Sequence, residues 1–280
     1  MTQDEKKQLK IAACKVRLGI IEGVYAAKSG HPGGSLSAAD VLTYLYFKHM
    51  NIDPQNPRWE KRDRFVLSKG HAAPALYSVL ANRGFFPVDE LKTLRHIGSR
   101  LQGHPNMNLT PGVDMSTGSL GQGVSTAAGM ALGAKLSGYS NTVYAVMGDG
   151  EIQEGQFWEA CMYAGAHKLG NLIGIVDSNK IQLDGRVSEV LDTGDLQAKF
   201  EAFGFFVQSI DGHDVAAISD AIDRAKAETG RASMIIANTV KGKGVSFMEN
   251  TCKWHGRVPT DEEFAAAFEE LYQRKAELEG

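Results

Sequence analysis

The chain has 280 residues, is 43% hydrophobic and 22% charged, and carries a formal net charge of −3 with both signs interspersed. That composition and length suit one large α/β domain that needs neither disulfides nor zinc to fold. It offers no basic face for nucleic acid. It has no apolar run near the roughly 18 residues of a membrane span, and the N-terminal MTQDEKKQLK lacks a secretory core. Cys14, Cys161 and Cys252 lie far apart and form no CxxC, so they read as packing residues of a protein in a reducing cytoplasm.

In chain order the elements start helical and then alternate. Asp4 to Lys28 places Leu9, Ala12, Ala13, Val16, Ile20 and Val24 near one helical face and stops at Ser29-Gly30. A loop with His31 follows. Ser37-Ala38-Ala39-Asp40 has the character of a capping box and opens a predicted helix to about Met50. Arg64 to Leu67 is a short strand running into Ser68-Lys69-Gly70-His71, and Ala73 to Arg83 is helical. Asp89 to Arg95 reads as a further helix. Gly98 to Gly118, rich in Gly, Pro and Asn and holding His104, is a long loop of the kind that usually serves function. Leu120 to Leu136 is a helix of small residues suited to close packing.

The densest signal comes next. Thr142 to Met147 and Leu172 to Val176 are short apolar, β-branched runs that predict buried strands. Between them, Gln153 to Lys168 carries Phe157, Ala160, Cys161, Ala164 and His167 near helical spacing. The first strand ends in Gly148-Asp149-Gly150-Glu151 and the second in Asp177-Ser178-Asn179, a βαβ unit with its polar residues at the carboxyl edge, where ligands of open parallel sheets sit. Glycine at 148 and 150 lets the backbone approach phosphate oxygens, and the following helix offers free N–H groups. Asp149 and Asn179 are hard oxygen donors of the kind Mg²⁺ or Ca²⁺ prefers, and a nearby main-chain carbonyl could add a third. The unit is laid out to hold a metal diphosphate. A helix near Leu196 to Phe203, a strand at Phe205 to Ile210, a helix at Val215 to Glu228, a strand at Ser233 to Val240 and a helix from Asp261 to Glu279 complete the chain.

Four of the eight histidines share a setting in or beside Gly-rich loops: His31 in SGHPGGS, His71 in SKGHA, His104 in QGHPN and His255 in KWHG. Imidazole both donates and accepts protons near neutral pH, which suits chemistry on hydroxyl and carbonyl oxygens. The absence of HxH or HxxxH spacing argues against zinc.

Taken together, SGHPG at Ser29 to Gly33, SKGHA at Ser68 to Ala72, GHP at Gly103 to Pro105, TGSLGQG at Thr117 to Gly123, GDGEIQEG at Gly148 to Gly155, DSN at Asp177 to Asn179 and His255-Gly256 resemble transketolase. The interval of 30 residues from Asp149 to Asn179 is the family's thiamine diphosphate signature. The resemblance implies an α/β thiamine diphosphate-binding fold with a mostly parallel central sheet and helices on both faces, formed by residues 1–280 as one domain. It implies that Asp149, Asn179 and the carbonyl of Ile181 hold Mg²⁺ or Ca²⁺. His71, Gly150 and His255 would contact the diphosphate, with Gly148 and Glu151 in the same loop, and Gly118, Ser119, Leu120 and Gly121 would line the thiazolium. His31, His104 and His255 would be catalytic, the first two binding the donor ketose. Glu154 and Glu159 match acidic positions that the family places at an interface coupling paired cofactor sites. Ser119 stands where many transketolases have Pro, and Leu101-Gln102 replaces a common Thr-Pro, changes that touch loop shape and no polar catalytic group.

The resemblance ends with the diphosphate-binding domain. The family's pyrimidine-binding domain, with the glutamate that activates the cofactor, and its C-terminal domain are expected on a separate subunit of about 300 residues, two domains of ordinary size. An α2β2 heterotetramer transferring a two-carbon ketol unit follows, by default from xylulose 5-phosphate to ribose 5-phosphate. Two other readings stay open: an α subunit of another thiamine diphosphate enzyme, and a thiamine diphosphate-binding protein without catalysis.

Overall fold

Five parallel strands form one sheet in the order β1–β2–β3–β5–β4 in the computed structural model, which describes residues Met1–Gly280. They are β1 (Arg64–Leu67), β2 (Val143–Gly148), β3 (Leu172–Ser178), β4 (Phe206–Asp211) and β5 (Ser233–Asn238). The register sets Gly148 against Asp177, and Ser178 against Asn238, so the GDG and DSN segments leave the sheet side by side.

Residues alternate across each strand, and the two faces feed two cores. Phe65, Leu67, Tyr144, Val146, Ile173, Ile175 and Ile235 join a core of 45 buried residues. Helices α1 (Gln3–Ala27), α2 (Pro32–Tyr44) and α3 (Ala73–Arg83) supply much of the rest of it. Val66, Ala145, Met147, Val176 and Met234 join a second core of 22 with α4 (Gln122–Leu136) and α5 (Gly155–Ala166). Both faces of a parallel sheet must be covered this way because its strands have no polar side. A single turn, α6 (Val187–Val190), precedes α7 (Leu196–Ala202), which packs on β4; α8 (Val215–Ala227) covers the α2 side and α9 (Asp261–Glu279) lies along α1. Capping boxes Thr2/Glu5 and Thr260/Glu263 start α1 and α9, and Tyr25 stacks on Phe264 with ring centroids 4.0 Å apart.

Several expected boundaries move. Helix α2 starts at Pro32, five residues before the Ser37 expected to cap it. Pro32 sits in the first turn, where its missing N–H costs nothing, and all 13 residues of the helix are buried, so packing outweighs the poor helix propensity of Gly33 and Gly34. It ends in a wider π turn, Leu45–His49. The helix expected at Asp89 to Arg95 is a 3₁₀ segment, Val88–Thr93, after which Arg95 takes a left-handed φ of 60°. The helix expected from Gln153 opens two residues later, after a 3₁₀ turn at Glu151–Gln153, and His167 at its end is exposed, not part of its apolar face. Cys14 and Cys161 are buried as expected, whereas Cys252 is exposed and is no packing residue. No helix is long and apolar enough to cross a membrane.

Candidate active site at the carboxyl edge

The loops leaving β1, β2, β3 and β5 enclose a cavity of about 360 Å³, within the usual range of small-molecule sites. Its walls include His31, His71, Gly118, Leu120, Asn179 and His255, along with Gly148 through Glu151, Glu154 and Ile181. Asp149 is 4% exposed. One of its carboxylate oxygens accepts the N–H of Gly150 at 2.9 Å and the other accepts the N–H of Lys180. Asn179 uses its Oδ1 to accept the N–H of Ile181 at 3.1 Å and its Nδ2 to donate to Asp177 at 3.2 Å. Burial, then the charge of Asp177, pushes the Asp149 carboxyl up to about 6.

Behind this pair stands an ion pair that sequence reasoning missed. Lys69, 1% exposed, donates to the carboxylate of Asp177, 2% exposed, and at 2.8 Å to the carbonyl of Gly34. The hydroxyls of Ser37 and Thr239 also donate to Asp177. Burial alone would raise the Asp177 carboxyl; the Lys69 ammonium and these donors reverse that and hold it below the usual carboxylate range. A second missed lysine, Lys241, donates to the carbonyl of Ile181 at 2.8 Å and bonds Nδ1 of His255 at 2.9 Å. Burial brings its ammonium down to about 8. The available signal for both was a lysine beside glycine just past a parallel strand, SKG and VKGKG.

Glu151 lies on the cavity wall, yet its carboxylate accepts from Ser68 Oγ, Gly121 N–H and Gly148 N–H. It ties three loops together, and those donors occupy the oxygens expected to serve a cofactor. Gly121 is reached through this tie and does not line the cavity.

His31, His71 and His255 meet, with ring centroids 5.2 to 5.3 Å apart. Burial first, then neighbouring cations, lowers His31 to about 4 and His255 to about 3, and takes His71 well below its ordinary value. Three neutral imidazoles therefore face the cavity, and Nδ1 of His31 is buried with no hydrogen-bond partner. His104 stands apart. It is exposed, does not line the cavity, and its ring packs against Gly118, while the Tyr77 hydroxyl donates to its carbonyl at 3.0 Å. Ser119 is exposed outside the cavity, and Glu159 is exposed on α5, one turn beyond Glu154 at the rim.

The residues fit a hard divalent cation. Asp149, Asn179 and the Ile181 carbonyl would offer a cation oxygen donors only, one of them a buried anion, and the Ile181 oxygen keeps a second lone pair beyond its bond to Lys241. No cluster of three or more His, Cys, Asp or Glu side chains offers a competing site.

Residues 8–276 match the family described as transketolase, thiamine diphosphate binding domain. The chain is 47% identical to the 6-deoxy-6-sulfo-D-fructose transketolase subunit of Clostridium sp. (strain MSTE9), covering 98% of this chain and 99% of that one. It is 41% identical to an apulose-4-phosphate transketolase subunit of Phocaeicola vulgatus, covering 97% and 96%. The crystal structure of a transketolase from Campylobacter jejuni superposes with a TM-score of 0.90 at 36% identity, over 99% of this chain and 46% of that one. The chain thus spans about half the length of the transketolase chains of known structure that it matches. On this family match and this fold, the chain belongs to the transketolase family and carries its thiamine diphosphate-binding domain.

Proposed function

We propose that the chain is the N-terminal subunit of a split transketolase, which binds thiamine diphosphate with Mg²⁺ (or Ca²⁺) and acts only with a separate C-terminal subunit of about 300 residues. The observation that carries this reading is one cavity that joins the Asp149–Asn179 oxygen pair to three neutral histidines. Asp149, Asn179 and the Ile181 carbonyl would hold the metal. Gly150, His71, His255 and Lys241 would receive the diphosphate, Lys241 countering its charge. When bound, the cofactor supplies the electron sink for breaking a ketose C2–C3 bond. His31 lines the cavity with its ring committed to no hydrogen bond, so the imidazole can orient a donor hydroxyl or carbonyl, and neutral His31 and His104 can take up and return the proton that moves on that hydroxyl. The exposed residues Glu159, Met162 and Tyr163 of α5 would face a second copy of the chain, giving an α2β2 assembly working in the cytoplasm.

The donor we favour is a ketose with a terminal anionic group, phosphate or sulfonate, since the end-to-end relatives are named for sulfofructose and apulose-4-phosphate. The test is ketol transfer to an aldose phosphate by this chain, the partner subunit, and both, with thiamine diphosphate and Mg²⁺. Xylulose 5-phosphate, 6-deoxy-6-sulfofructose and apulose 4-phosphate are compared as donors. Turnover only in the mixture is expected; turnover by this chain alone, or none with any ketose, sinks the reading.

Gly118 supplies a second check. Its φ is +148°, and a Cβ there would stand 2.9 Å from Cγ of His104. Gly118→Ala is expected to displace His104 and lower donor kcat/KM about 100-fold, as a misplacement of about 1 Å can, with a smaller loss of cofactor affinity because Gly118 also lines the cavity. An unchanged donor kcat/KM would remove His104 from the donor's path.

A further inference from the structure

Outside the cavity, one guanidinium connects the two loops that carry His31 and His104. Arg95 Nη1 donates to Ser29 Oγ at 2.9 Å, two residues before His31, and Nη2 donates to the Gly103 carbonyl at 3.4 Å, one residue before His104. The fit is close from both sides. A Cβ on Gly103 would stand 3.1 Å from Cζ and Nε of Arg95, so a side chain at 103 would push the guanidinium away by a few tenths of an ångström. Arg95 itself holds a left-handed φ of 60°, a conformation unfavourable for a residue that bears a side chain, and its N–H donates to the Leu101 carbonyl at 2.8 Å, which closes the turn that aims the side chain. An unfavourable backbone state kept at a functional edge marks a position over-determined by its surroundings.

We propose that Arg95 is a positioning residue for ketol transfer: its planar fork ties the His31 loop to the His104 loop and fixes the separation at which both imidazoles meet the donor sugar. Resting on the transketolase reading above, the proposal adds to it the residue that sets the spacing of the donor-binding pair. A point charge cannot replace this tie, because only the guanidinium offers two donors in fixed directions. The charge has a second effect in the same direction. After burial, Arg95 is the largest influence lowering both His31 and His104, keeping them neutral and able to accept a proton. The other groups facing His31 are His71, His255, His104 and Lys241. Arg95 does not line the cofactor cavity, so tie and cofactor binding are separable.

Two variants of the full chain separate fork from charge. Arg95→Lys keeps the charge and loses the fork; Arg95→Gln loses the charge. Histidine titrations followed by NMR on the chain alone should show His31 and His104 moving up in Arg95→Gln and staying low in Arg95→Lys. In the reconstituted enzyme both variants should lose tenfold or more in donor kcat/KM, about the scale of a positioning defect. Thiamine diphosphate affinity should stay within twofold in both. Wild-type donor kcat/KM in Arg95→Lys overturns the proposal, as does an equal loss of cofactor affinity, which would mark a general effect on the fold. If the wild-type pair transfers no ketol unit the transketolase reading fails, and the titrations still decide Arg95: unmoved His31 and His104 in Arg95→Gln overturn its placement between them.

Discussion

Asp149→Asn should give a protein that is more stable without metal and unable to bind thiamine diphosphate in a metal-dependent way. The Asp149 carboxyl is buried, and burial with the neighbouring Asp177 raises it from 3.8 to about 6. Because the folded state holds this proton more tightly than the unfolded state, the associated stability is fully present below pH 3.8 and is lost as pH rises through 6. Two units correspond to about 3 kcal/mol of strain at neutral pH. Asparagine removes the charge but has one oxygen for two donors, Gly150 N–H and Lys180 N–H, and the lost bond costs about 1–2 kcal/mol. The net expectation is a gain of about 1 kcal/mol for the variant at pH 7, measured by urea unfolding in chelator, which vanishes by pH 4. Calorimetry with Mg²⁺ and thiamine diphosphate should show affinity falling at least about 100-fold, the upper end of what even supporting groups around a metal cost. A variant that still binds cofactor in a metal-dependent way would remove Asp149 from the ligand set, and one less stable than wild type at pH 7 would show that burial does not hold its carboxyl above the usual range.

The strands were legible because β1 to β3 and β5 are short apolar runs that end in polar loops, and Arg64–Leu67 falls where composition puts it. The GDG and DSN segments became neighbours through strand register, which parallel βαβ order already implies. Helix α2 was harder to read, since Pro32-Gly33-Gly34 looks like loop until it is known to be buried on every side. Cavity membership was harder still. His31, His71 and His255 come from three separate loops and converge, whereas His104 rides on the long segment between Gly98 and Gly118, whose path no local pattern fixes. Glu151 stands in the signature loop, yet its partners are the loops themselves, a pairing that only the close approach of Ser68 and Gly121 creates. Lys69 and Asp177 lie 108 positions apart, and a lysine beside glycine reads as solvated until tertiary packing shuts water out.

That ion pair carries the largest stability effect expected in the chain. Lys69→Met leaves a buried carboxylate without its cation, and Asp177→Asn leaves a buried ammonium without its anion. Either change should cost about 3–5 kcal/mol, because an unpaired charge remains in a low-dielectric interior. For a chain this size that is a fall of about 10 °C in Tm. The double variant should be more stable than the sum of the singles predicts, with a coupling of up to about 3 kcal/mol, since it removes both charges together. The function of the pair is read separately. Asp177 accepts from Nδ2 of Asn179 and so fixes the amide with its oxygen on the other side, where it accepts from Ile181 N–H. In Asp177→Asn one amide oxygen must serve Ser37, Thr239 and Asn179 together, which should weaken Mg²⁺-dependent thiamine diphosphate binding by about 10–100-fold even in the stability-restored double variant, as loss of a group that orients a ligand typically does. Additive unfolding energies would show that the two charges do not depend on each other. Wild-type cofactor affinity in the double variant would show that Asn179 is held by Ser37 alone, whose hydroxyl lies 3.3 Å from the same nitrogen.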